Sequence, residues 1–176
     1  MATGTIKLPV TLSANGTTSN EFPAVSYLTS TDADNPKARM PIAAFDDTTN
    51  ETVCWGFRLP ANYASGGTLK GNFYAVPVTG NVIWRAALRA VTPGDAIDIK
   101  AIDPVNDSGC AWASATVAVP ATTGYVTTFS ITMTMNSAAA GDTIAIMFQR
   151  NAADASDTAV GDAIILNELD LEYTTT

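Results

Sequence analysis

The sequence predicts an all-β fold: one antiparallel β-sandwich domain of eight to ten strands. Three observations carry that prediction. The clearest is in residues 45–91, where Val53, Trp55, Phe57 and Leu59 alternate with Thr52, Cys54, Gly56 and Arg58. Period two over that length marks a half-buried strand. Further alternating runs continue to Tyr173, separated by Gly, Pro, Asn and Asp. Helical periodicity is nearly absent. Its one rival reading is Trp84, Leu88 and Val91 at i, i+4 and i+7, and the flanking Gly80-Asn81 and Pro93-Gly94 suit strand ends better. No repeat of roughly 20–50 residues is visible, which argues against a solenoid or propeller.

Taken in order, Ile6, Leu8, Val10 and Leu12 alternate with Lys7, Pro9 and Thr11. Pro9 has no N–H for a ladder, so this run predicts an edge strand or arm. Residues 1–28 are expected to form that N-terminal extended arm, within the domain or against a partner, and residues 29–176 the sandwich. Residues 13–20 and 29–37 read as polar loops around a short strand at Glu21–Leu28. Met40–Phe45 is a strand leading through Asp46–Asn50, read as a hairpin, into the run at residues 53–59. Leu69–Val76 and Val82–Val91 follow, and the three runs are expected to share one sheet. Beyond the Thr92–Asp95 turn, Ile97 and Ile99 alternate with Asp98 and Lys100, and Trp112–Val119 is a weaker strand closed by Pro120. Tyr125–Met135 alternates over a length of nearly 35 Å at roughly 3.4 Å per residue. Thr143–Arg150 and Ile164–Tyr173 complete the set. The expected core is Val53, Trp55, Phe57, Leu59, Phe73, Trp84, Phe129, Ile131, Ile144, Ile146, Phe148, Leu169 and Leu171.

At 176 residues, a single domain buries roughly 70% of its extended-chain surface and needs neither disulfide nor metal to fold. The net charge is −8 and is lopsided: residues 1–88 hold six basic and six acidic side chains, residues 89–176 three and eleven. That balance opposes nucleic-acid or anionic-membrane binding, whose footprint is basic. Histidine is absent, which removes the commonest general base, nucleophile partner and metal ligand. Cys54 and Cys110 lack metal or redox spacing, and free thiols are favoured over a bridge. The N-terminus lacks the basic and apolar regions of a signal peptide, and no apolar run is long enough to span a bilayer. A soluble protein made in a cytosol is expected.

Candidate sites are few. Acidic pairs occur at Asp32 and Asp34, Asp46 and Asp47, Asp103 and Asp107, and Asp154 and Asp157. Oxygen-rich loops can hold calcium, but aspartate is also an ordinary turn residue. Asp154 and Asp157 are the weak metal candidates; otherwise neither metal nor cofactor is expected. Tyr63, Tyr74 and Trp112 offer a possible ligand platform, weighed against core or interface packing. Arg85 and Arg89 share a strand face and, with Ile6, Leu8, Val10 and Leu12, are candidates for partner contact. Two carboxylates can hydrolyse a glycoside without histidine, but no residue is singled out as the acid, and an enzyme is not expected.

Three stretches carry a family resemblance: F-D-D-T-T-N-E-T-V-C-W-G-F-R-L-P-A-N-Y, then V-T-G-N-V-I-W-R, then A-A-G-D-T-I-A-I-M-F-Q-R-N-A-A-D-A-S-D-T-A-V-G-D-A-I-I-L-N-E-L-D-L-E-Y. Together they resemble jelly-roll structural proteins of tailed-phage virions: head decoration or cement proteins, head fibres and fibre-tip modules. The resemblance covers about Phe45–Tyr173. Its motifs mark turns and core strands, and no catalytic residue carries over. It implies a jelly roll, commonly trimeric, that decorates or cements a capsid surface by contacts with the major capsid protein or another virion protein. It would be made in the host cytoplasm. The alternative is a receptor- or carbohydrate-binding module of a phage fibre.

Overall fold

The computed structural model describes residues 2–12, 22–31, 37–95 and 110–176. Ten strands run through them: β1 (Thr3–Pro9), β2 (Ala24–Thr29), β3 (Arg39–Phe45), β4 (Thr52–Arg58), β5 (Tyr63–Ala75), β6 (Asn81–Val91), β7 (Ala113–Ala118), β8 (Thr127–Thr132), β9 (Thr143–Arg150) and β10 (Ala163–Thr175). Among the described residues the one helical element is a 3-10 turn at Val10–Leu12. All ladders are antiparallel. One sheet has the order β2-β3-β10-β5-β8, with β1 also paired to β10; the other has the order β4-β9-β6-β7. Stacking β3-β10-β5-β8 on β4-β9-β6-β7 gives the double-sheet jelly roll. The predicted β-sandwich is borne out.

Three local expectations give way. β4, β5 and β6 do not share a sheet: β5 lies in the six-stranded sheet, and β9 separates β4 from β6 in the other. Period two shows that a strand has one buried face, but not from which side of the core it buries it. For the same reason Asp46–Asn50 is a crossing between sheets rather than a hairpin. The long run from Tyr125 is strand only over Thr127–Thr132. Met133 N–H still reaches Gly67 O, but Asn136 and Ser137 then take φ of 48° and 57° and turn the chain away. The Ile97–Ile99 run and the aspartates at 32, 34, 103 and 107 lie outside the described residues.

The core is centred on Trp84. Its ring stacks on Phe148 at 5.1 Å and meets the edges of Phe45 at 5.2 Å and Phe73 at 5.4 Å. Such pairs add to the area that the rings bury. Every expected core residue is buried except Phe57, which is half-buried against the cluster.

β10 is the strand that positions the site. Along one side it pairs with β3 through Leu166 and with β1 from Glu168 onward. On its other side Ile165 stands opposite Phe73 and Leu169 opposite Gly71. Three residues of β10 therefore face Asn72 alone, a bulge with Asn167 at φ 56°. Asparagine tolerates that left-handed conformation better than most residues.

Candidate functional site: a polar groove on the six-stranded sheet

Strand alternation decides which side chains face outward. Leu8, Leu169, Leu171, Leu69, Phe73, Phe129 and Ile131 turn inward and are buried. The residues between them are left on the outer face. Register then aligns them: Lys7 opposes Asp170, Asp170 opposes Lys70, and Lys70 opposes Ser130. One row thus crosses β1, β10, β5 and β8. Asn72 and Thr128 oppose each other beside it, and the Leu166–Glu168 bulge forms the remaining wall. The groove so enclosed has a volume of about 510 Å³. Bulges commonly re-aim side chains at binding sites.

The charged groups in this groove are committed to one another. Lys7 Nζ lies 2.9 Å from Glu168 and 2.7 Å from Asp170, and Lys70 Nζ lies 2.6 Å from Glu172. Asp170 Oδ1 is enclosed and meets Lys7 as an ion pair by distance rather than as an aligned hydrogen bond. Asp170 first and Glu168 second raise the Lys7 pKa. The neutral groups are uncommitted: the exposed side chains of Asn72, Thr128, Ser130 and Asn167 have no hydrogen-bond partner among the described residues. Beyond Asn72 the next outward residue of β5 is Tyr74, about 7 Å further along the strand. It is half-buried, and burial raises the pKa of its phenol. Leu166 lines the groove on the bulge side.

The residues expected to form a ligand platform do not come together. Tyr63 is 5% exposed and packs on Tyr173 with ring centroids 5.7 Å apart. It is a core residue, and burial raises its pKa. Trp112 lies at the other sheet, its ring covered by the Arg85 guanidinium 4.5 Å from the centroid. Of the three, only Tyr74 sits beside a groove.

The partner-contact set is also redistributed. Leu8 and Val10 are buried in the chain's own core and Ile6 packs against it, because β1 pairs with β10 along its whole length. Leu12 closes the 3-10 turn. Arg85 and Arg89 do share the outer face of the four-stranded sheet. Arg85 Nε donates to Gln149 Oε1 at 2.6 Å, and burial lowers its pKa.

The weak cation site at Asp154 and Asp157 is corrected. Asp157 is 1% exposed and already holds a cation, the guanidinium of Arg150, at 2.8 Å. Asp154 accepts from Ser156 N–H and from Asn151 Nδ2 within its own loop. Asp46 likewise serves its turn, accepting from the Thr48 hydroxyl and from the N–H groups of Thr48 and Thr49. These bonds, the Thr48 hydroxyl foremost, lower its pKa. Among the described residues no group of three or more acidic or sulfur ligands could hold a metal ion. Cys54 and Cys110 are not joined in a disulfide, and burial raises the Cys110 pKa.

No protein-family model matches the chain, and no curated protein matches it. Solved structures do align with it. A putative glycoside hydrolase from Bacteroides thetaiotaomicron superposes with a TM-score of 0.47 at 12% identity, over 92% of this chain and 60% of its own. The C-terminal CBM6 module of LamC, a marine laminarinase from Zobellia galactanivorans, gives 0.40 at 10% identity over 98% of this chain and all of its own. A family 11 carbohydrate-binding module from Clostridium thermocellum, solved with a β-1,3-1,4-mixed-linked tetrasaccharide, gives 0.39 at 10% identity, over 96% and 87%.

Proposed function

We propose that this chain is a carbohydrate-binding module whose site is the groove on the six-stranded sheet. The observation that carries the reading is the register of β1, β10, β5 and β8. It sets four uncommitted neutral groups, on Asn72, Thr128, Ser130 and Asn167, beside two ammonium–carboxylate networks. Sugar hydroxyls donate and accept at once, so they match a lining that mixes amide, hydroxyl, carboxylate and ammonium. Leu166 and Tyr74 supply the apolar contact that a sugar ring's C–H face needs. The site is open and polar, which fits weak, reversible binding rather than catalysis. The test is a glycan array followed by calorimetry on the wild type and on Asn72→Ala with Ser130→Ala. Saturable binding to a defined glycan, reduced at least about ten-fold in the double variant, is expected. Binding that the double variant leaves intact would place the ligand elsewhere.

A second reading is a virion protein that decorates or cements a capsid, and β2 is the observation favouring it. β2 is an edge strand, and its Val25, Tyr27 and Leu28 are 42%, 56% and 45% exposed. Exposed apolar edges serve strand addition by a partner. In this reading β2, rather than the apolar residues of β1, makes the contact with a capsid protein or with the other subunits of a trimer. Co-sedimentation with phage heads, lost in Tyr27→Lys, is its expected outcome.

A further inference from the structure

We infer that the groove selects uncharged glycans, about three sugar units long across the strands, and rejects uronic-acid and sulfated ones. The inference rests on the carbohydrate reading above and adds the ligand's class to it.

The argument starts from the charges. Among the described residues Lys7 and Lys70 are the cations of the groove, and three carboxylates engage them: Glu168, Asp170 and Glu172. The cluster therefore carries a net charge of −1. An anionic sugar would have to displace a carboxylate already 2.6–2.9 Å from its ammonium. It would then leave that carboxylate facing a like charge. Among the described residues no arginine lines the groove, although arginine is the residue whose planar fork best fits carboxylate and sulfate. The chain's overall charge of −8 adds a repulsive field. What remains available to a ligand is neutral: one amide on Asn72, one on Asn167, and the hydroxyls of Thr128 and Ser130.

Length follows from the same register. The available groups sit on three adjacent strands, β10, β5 and β8, spaced about 4.8 Å apart. That spacing is close to the length of a pyranose unit, so a glycan lying across the strands places about one ring per strand.

The experiment is calorimetry at low and high salt. The probes are neutral hexasaccharides of α- and β-linked glucose, mannose and galactose, together with hexagalacturonate and a sulfated hexasaccharide. A neutral glycan is expected to bind at least about ten-fold more tightly than either acidic one. Its affinity should hardly change between low and high salt, and should level off as the oligosaccharide grows past three units. The double variant Glu168→Gln with Asp170→Asn leaves Lys7 uncompensated on an exposed face. It should raise acidic-glycan affinity by about ten-fold or more in low salt. Acidic glycans binding as tightly as neutral ones would overturn the inference while leaving the carbohydrate reading standing. The same holds if the double variant shows no gain for them. Binding to no glycan in the panel or on an array would overturn both.

Discussion

Arg150 and Asp157 form a bidentate ion pair sealed inside the protein: Nη2 lies 2.8 Å from Oδ1 and Nε 3.1 Å from Oδ2, at 0% and 1% side-chain exposure. The pair ties three segments together. Arg150 also donates to the carbonyls of Phe45, Ala159 and Gly161, and Asp157 Oδ2 accepts from Ile83 N–H. It thereby pins the β9–β10 loop across the ends of both sheets.

Removing either partner strands the other as a buried charge. Arg150→Met and Asp157→Asn are each expected to cost about 3–5 kcal/mol in urea unfolding. The double variant should recover only part of that loss. It removes both charges but leaves three carbonyls unpaired, each costing about 1–3 kcal/mol. A double variant as stable as the wild type would show that the carbonyl bonds contribute nothing net.

At Asn167 a conformational requirement and the groove wall coincide. Asn167→Gly keeps the left-handed φ without strain and should leave stability within about 0.5 kcal/mol. Asn167→Val should cost about 1–3 kcal/mol, because a β-branched residue resists φ of 56°. Equal stability of the two variants in urea would mean that the bulge relaxes freely.

Sandwich and core were legible in the sequence because burial on one face leaves a period-two record in each strand separately. Phe129 and Ile146 are each found that way, whereas the strand of Trp84, buried on both faces over much of its length, is read from the turn residues that flank it. The groove was not legible, because its unit is a row across strands rather than a run along one. Lys7 and Asp170 come from opposite ends of the chain, and alone each reads as a solvated outward residue. Tyr63 was misplaced for a related reason: composition marks an aromatic but does not tell an inward position from an outward one. The full extent of β5 separates them: Tyr63 falls on its inward parity and Tyr74 on its outward one.

Glu51 links stability to pH. Its carboxylate accepts the Asp46 N–H at 2.7 Å, and burial, with Asp46 and Asp162 nearby, raises its pKa from 4.5 to about 6. The folded state therefore holds the proton more tightly than the unfolded one. The resulting stability is fully present below pH 4.5 and is lost as the pH rises through about 6. With solvent screening at this partly exposed site, the loss is roughly 1 kcal/mol. Glu51→Gln keeps an acceptor for Asp46 N–H and should flatten this part of the stability profile between pH 4.5 and pH 7. Parallel wild-type and variant profiles over that window would exclude Glu51 as the source.

The three aromatic residues separate stability from binding. Tyr74→Ala removes a half-buried ring from the outer face, where it supports no core cluster. It should lower glycan affinity by about ten-fold while the urea midpoint stays close to wild type. Tyr63→Ala empties a core position packed on Tyr173. It should cost about 3–5 kcal/mol, while the molecules that remain folded bind glycan as before. Trp112→Ala exposes Arg85 and removes a cation–π contact worth about 0.5–2 kcal/mol. The groove lies on the other sheet, so its affinity should not change. Calorimetry below each variant's unfolding range, paired with urea titration, reads both quantities. Loss of affinity in Trp112→Ala with Tyr74→Ala unaffected would move the ligand to the four-stranded sheet and refute the groove assignment.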